Sequence, residues 1–189
     1  HVHPELLVDL LGGGVVVGAI VAVNALGDVV DPATGQVIAG ARSIRFGPVR
    51  FGSRGPFADT LAVMRGMAGR TALRFASKGN TVIGVVATNG GLTKEGANVV
   101  ARMAHDGIAR AVRPSHTQLD GDTLFALSTG GKKADASIVG ACAAEAVAQA
   151  ILRAVLAAEP AGGLPSARDF RLAGAPGRAR GGVDVPQGR

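Results

Sequence analysis

Three stretches of the chain are apolar at nearly every position. "VVVGAIVAVN", residues 15–24, is rich in Val and Ile and ends on Asn24, which predicts a buried strand. "VIGVVAT", residues 82–88, shows no polar alternation, so a strand buried on both faces is expected. "TLFALST", residues 123–129, predicts a third strand. Between the first two, Asp31-Pro32 and Thr34-Gly35 mark a turn, with a short return strand over 37–39. Residues 42–56 hold Gly, Pro and Arg without periodicity and read as an exposed loop. Pro56 suits the first turn of a helix that "FADTLAVMRGMAG" continues.

Two longer helices follow from their caps. Thr93 can cap a helix running to about Val112, with Glu95 early in it and Arg110 near its end. Asp135 can cap a helix reaching Ala158. The segment from Pro160 onward is rich in Gly, Pro and Arg, and most of it is expected to be mobile. Apolar strands mixed with helices predict sheets covered by helices, an α/β or α+β sandwich.

Composition narrows the class. The chain has 189 residues and 47% apolar content, enough for one domain with a core. The apolar run from Val15 to Val23 is too short to span a bilayer. The Ala-rich stretch from Ala134 to Ala158 is long enough, but Glu145, Gln149 and Arg153 recur at four-residue spacing and form a polar stripe. No membrane partner is expected. A single cysteine, Cys142, excludes an intrachain disulfide and fits a reducing, cytoplasmic location. The net charge of +6 sits in two clusters, Arg42, Arg45, Arg50 and Arg54, and Arg168, Arg171, Arg178, Arg180 and Arg189. There is no Tyr or Trp to build a stacking platform, so these read as solvated basic loops and no nucleic-acid partner is expected.

Few residues are left for chemistry. His1, His3, His105 and His116 lack metal-ligand spacing, so no metal site and no cofactor is expected. His105 reads as a packed or surface helix residue, and His116 as a weak loop candidate. Cys142 among alanines reads as an inert thiol. Asp120-Gly121-Asp122 places two carboxylates one residue apart ahead of the third strand. An ordinary turn explains that pattern as well as a shared site does. Asn24 ends a buried strand with an amide that needs partners, a type of group used as an oxyanion donor. "GNT", residues 79–81, sets a hydroxyl immediately after a turn-like joint. That is a strand start preceded by a turn, or a bond made to be cut.

Taken together, "VGAIVAVNALGDVVDPATGQVIAGAR", "GNTVIGVVATNGGLTK", "MAHDGIARAVRPSHTQLDGDTLFALSTG" and "PSARDF" resemble the DmpA-type aminopeptidases, which are N-terminal-nucleophile-like, self-processing hydrolases. Within that family the likeness is greatest to the nylon-oligomer endohydrolases. The resemblance implies an α+β, four-layer αββα sandwich over residues 1–170, incomplete at its N-terminal side, with 171–189 as a disordered tail. It implies self-cleavage between Asn80 and Thr81, giving an α part (1–80) and a β part (81–170) that stay together. It carries Thr81 over as nucleophile, Asp120 and Asp122 as its acidic partners and Asn24 as oxyanion donor. It further implies a small peptide or amide substrate and a homo-oligomer, commonly a tetramer. Family members carry a longer upstream segment with a Lys and a Tyr near the site, which this chain is expected to lack. Three alternatives stand beside the self-processing amidase: a non-catalytic remnant of it, an aminopeptidase or D-amino-acid esterase of the same family, and a self-cleaving acyltransferase.

Overall fold

The computed structural model describes residues 8–9, 14–46, 49–51, 56–66 and 79–174. The described chain is α+β. In order it forms β1 (Val8–Asp9), β2 (Val16–Asn24), β3 (Asp28–Val30), β4 (Val37–Ala39), β5 (Ile44–Phe46), β6 (Val49–Phe51) and α1 (Thr60–Arg65). It continues through β7 (Thr81–Gly91), α2 (Lys94–Ala111), β8 (Val112–Arg113), β9 (Thr123–Lys133), α3 (Ala136–Ala157) and α4 (Ala167–Gly174).

The main sheet has the order β1-β2-β7-β9. β2 and β7 are antiparallel, and β7 and β9 are parallel, with α2 in the connection between them. A parallel pair needs such a crossover, because no tight turn can return the chain to the same end of the sheet. A second sheet, β4-β3-β8, borders the helices.

The helix caps predicted from sequence form. The Thr93 side chain accepts a hydrogen bond from the Gly96 amide, and that of Asp135 accepts from the amides of Ser137 and Ile138. Each satisfies N–H groups that the first helical turn leaves without partners. Val100, Ala104 and Ile108 of α2 and Val139, Ala143, Val147 and Ile151 of α3 are buried, against Val17, Val21, Val82 and Val86 of the sheet. Burying each of the Val and Ile side chains contributes about 1.5–3 kcal/mol. Small residues bring the two helices close together. A Cβ on Gly107 would run into the Ala144 carbonyl oxygen. By length and composition α3 could cross a membrane, but ten of its residues are buried in this core.

Four expectations change. β7 is covered on one face, not both: Val82, Gly84, Val86, Thr88 and Gly90 point to the helices, while Ile83 is 48% exposed. The opposite face of the sheet carries Ile20, Phe125 and Leu127 as well, all exposed among the described residues. An unbroken apolar run therefore does not separate a strand with two covers from one with an apolar open face. The 42–56 loop contains a β5–β6 pair. Helix α1 starts at Thr60 rather than at Pro56, with Asp59 as its cap in a left-handed conformation (φ 58°). α4 runs to Gly174, into the 171–189 span expected as a tail, and packs Phe170 against Phe57 with ring centroids 5.1 Å apart. The remainder of the expected tail, 175–189, and most of the 70–80 connector lie outside the described residues.

Candidate active site at the start of β7

Thr81 opens β7, at the end of the sheet where β2 finishes. The antiparallel register sets Asn24, the last residue of β2, directly opposite Thr81. On the other side of β7 the chain ahead of β9 runs parallel, so Asn80 pairs with Asp120. Two sheet registers thus bring Asn24, Asn80, Thr81, Asp120 and Asp122 to one place from three distant parts of the sequence.

The side chains then make specific contacts. The Thr81 hydroxyl donates to the carbonyl oxygen of Asn80, at 2.7 Å. The Gly121 amide donates to the same oxygen, at 3.1 Å. Gly121 has to be glycine for this approach, since a Cβ there would lie 2.9 Å from the Thr81 hydroxyl oxygen. Asp122 accepts from the Val82 amide through Oδ1 at 2.9 Å, one residue past Thr81. Its Oδ2 lies 3.2 Å from Nδ1 of His116. The other carboxylate turns to its own loop: Asp120 Oδ2 accepts from the amide and hydroxyl of Thr117, at 2.9 and 2.7 Å.

Asn24 is exposed rather than buried, and its Nδ2 donates to the Gly79 carbonyl at 2.8 Å. In this state its amide holds the turn that precedes Asn80. The Asn80 side-chain Nδ2 is buried without a partner among the described residues, a costly arrangement for an amide.

By sequence alone His116 is a weak loop candidate. The structure brings it to Asp122, and its Nε2 lies 3.3 Å from the His105 carbonyl oxygen. Its backbone is left-handed (φ 54°), a conformation uncommon for residues other than glycine. The signal in the sequence was the compact "HTQLDGD", in which Thr117 and His116 precede the carboxylates they contact. Cys142 stays outside the site, and burial pushes its thiol up from the ordinary value. No group of three or more potential metal ligands forms among the described residues.

With this geometry in place, the relatives give the class. Residues 6–168 match Peptidase family S58, and the chain belongs to that family. It is 39% identical over 179 residues to an uncharacterized aminopeptidase of Mycobacterium tuberculosis, covering 85% of this chain and 49% of that protein. It is 30% identical over 158 residues to a 6-aminohexanoate-oligomer endohydrolase of Paenarthrobacter ureafaciens, covering 75% of this chain and 41% of that protein. Among solved structures, the L-aminopeptidase D-Ala-esterase/amidase of Ochrobactrum anthropi, described as a variant of the N-terminal-nucleophile hydrolase fold, superimposes with a TM-score of 0.55. That match has 20% identity and covers 87% of this chain and 44% of the other. It supports the α+β fold of the N-terminal-nucleophile kind read from the sequence. The chain spans about half the length of the curated relatives it matches.

Proposed function

We propose that the protein is a self-processing peptide or amide hydrolase, with Thr81 as nucleophile first on its own chain and then on substrate. The observation that carries this reading is the Asn80 carbonyl, held at once by the Thr81 hydroxyl at 2.7 Å and the Gly121 amide at 3.1 Å. In the first reaction Thr81 Oγ attacks the Asn80 carbonyl carbon, and negative charge grows on an oxygen that the Gly121 N–H already faces. A donor aimed at a developing oxyanion is a main source of catalytic stabilisation. The C–N bond breaks as the hydroxyl proton passes to its nitrogen, leaving an ester on Thr81 Oγ and a free α-amine. Water then hydrolyses the ester to an Asn80 carboxylate and regenerates the hydroxyl.

Cleavage puts a base beside the nucleophile. An α-amine has a reference pKa of about 7.7–8.0 and can take the hydroxyl proton near neutral pH. Thr81 Oγ then attacks a substrate amide, the amine product leaves with a proton, and water releases the acid. Cleavage also frees Asn24 Nδ2 from its place against Gly79, making it available as a donor to the substrate oxyanion. Asp122 fixes the new terminus through Val82.

The two fragments stay together for a structural reason. β2 lies before the cut and β7 after it, and the two are zipped from Asn24↔Thr81 to Val17↔Thr88. The substrate class is short peptides or amino-acid amide oligomers, after the names of the relatives. The test is the bond itself: the purified chain should run as two bands on a denaturing gel, and Thr81→Ala as one. A wild-type chain that stays whole contradicts the reading.

A further inference from the structure

Among the described residues His116 makes no hydrogen bond to Thr81 or Asn80, yet it contacts the carboxylate that holds the residue after Thr81. Both of its ring nitrogens face oxygen acceptors: Nδ1 faces Asp122 Oδ2 at 3.2 Å, and Nε2 faces the His105 carbonyl at 3.3 Å. A neutral imidazole has one donor and one acceptor, so it satisfies one of these contacts. The imidazolium donates to both. The Asp122 side chain is 6% exposed and the His116 side chain 37%, so the pair lies at the edge of solvent with the carboxylate inward. The His105 ring stands beside the His116 ring, with centroids 5.2 Å apart. His105 is held below the ordinary histidine value, by burial first and then by repulsion from His116.

We propose that His116 is a positioning residue of this site: as an imidazolium it grips one oxygen of Asp122, so that the other stays on the Val82 amide and fixes Thr81. The chain of contacts is His116 Nδ1 to Asp122 Oδ2, then Asp122 Oδ1 to Val82 N. Its consequence for turnover rests on the reading of Thr81 as nucleophile, while the contact itself does not. Once the Asn80–Thr81 bond is cut, Thr81 loses its covalent anchor on one side. The Val82–Asp122 hydrogen bond is then the nearest side-chain tether downstream of the new terminus. The titratable groups around His116 are Asp122 ahead of β9 and His105 on α2, with Asp106 next to His105. A neutral ring cannot donate to both acceptors and carries no charge toward the carboxylate, so a neutral His116 grips Asp122 more weakly than the imidazolium does.

Amide hydrogen exchange at Val82 in the full chain, followed by NMR with the His116 ring signals across about pH 5 to 9, reads this directly. In the wild type the Val82 protection factor, corrected for intrinsic rates, falls as His116 loses its proton. In His116→Leu it is lower than in the wild type at the acid end by about tenfold or more. His116→Asn keeps an uncharged donor toward Asp122, and protection in it is independent of pH. Flat Val82 protection through the wild-type titration overturns the proposal without any variant, and so does unchanged protection in His116→Leu. A second readout is turnover of a short amide substrate. His116→Leu lowers kcat with KM unchanged, and His116→Asn loses the alkaline decline seen in the wild type. Unaltered kcat in His116→Leu, alongside altered Val82 exchange, overturns the positioning role. Inactive wild type with a pH-responsive Val82 counts against the hydrolase reading and leaves the His116 contact standing.

Discussion

The backbone of Gly121 lies against the Thr81 side chain so closely that a single added methyl would stand 2.9 Å from the Thr81 hydroxyl oxygen. The same residue donates its amide to the Asn80 carbonyl at 3.1 Å. A glycine between two aspartates is thus a contact surface for the nucleophile as well as a turn residue.

The first prediction concerns that contact. Gly121→Ala should displace the Thr81 hydroxyl or the loop, and slow both self-cleavage and turnover on the order of a hundredfold. Gly121 is exposed, and its backbone is outside the left-handed region. Stability should fall by about 1 kcal/mol, far less than the loss of rate implies, because an exposed loop takes up the shift. Rate constants measured beside melting temperatures check it. A variant that processes at the wild-type rate removes Gly121 from the site.

The two aspartates should separate in kind. Asp122→Asn can keep an oxygen on the Val82 amide, but its charge is lost and an N–H₂ can turn to His116. Turnover should drop on the order of a hundredfold with melting little changed. Asp120 holds the Thr117 amide and hydroxyl. Asp120→Ala, which strands the Thr117 amide and hydroxyl, should act by loosening the 117–122 loop, slowing the reaction and lowering melting together. Parallel measurement of kcat and melting in a processed background distinguishes them, and identical behaviour of the two variants contradicts the division.

Much of this arrangement was written locally in the chain. The caps at Thr93 and Asp135 set the starts of α2 and α3, because a side-chain oxygen meets amides only two or three residues away. β2, β4 and β9 follow from apolar runs bounded by turn residues. Pairing was not legible in the same way. The β5–β6 pair, the β3–β8 ladder and the His116–Asp122 contact depend on which segments meet, and that is decided by packing. The resemblance to a hydrolase family points to Asn24, Thr81, Asp120 and Asp122. It did not show that Asp120 faces Thr117, or that Asn24 holds the Gly79 carbonyl. His116 escaped because a loop histidine carries no periodic signal.

A fourth group tests the fold rather than the site. Asp28 is buried and accepts from the Thr60 amide at 2.7 Å and the Thr60 hydroxyl at 2.8 Å. Burial pushes its carboxyl above the ordinary value of 3.8, against the opposing pull of the Thr60 hydrogen bonds. A carboxyl raised on folding adds stability that is full below its unfolded pKa and is lost as pH rises through its folded pKa. Urea unfolding of the wild type and Asp28→Asn, from about pH 3 to 7, should show the wild type losing ground to the variant as pH rises. Parallel curves contradict the assignment. Asp28→Ala, which strands the Thr60 amide, should cost about 1–3 kcal/mol.

The central claim is that the Asn80–Thr81 bond is cut by Thr81 itself. Intact-mass spectrometry with N-terminal sequencing of the purified chain measures this most directly. The account predicts two polypeptides, one of which begins with a free amine on Thr81. It predicts the same pair, formed more slowly or less completely, from Thr81→Ser, and one unbroken chain from Thr81→Ala. A wild-type protein that remains a single polypeptide, or that breaks at another bond, contradicts it.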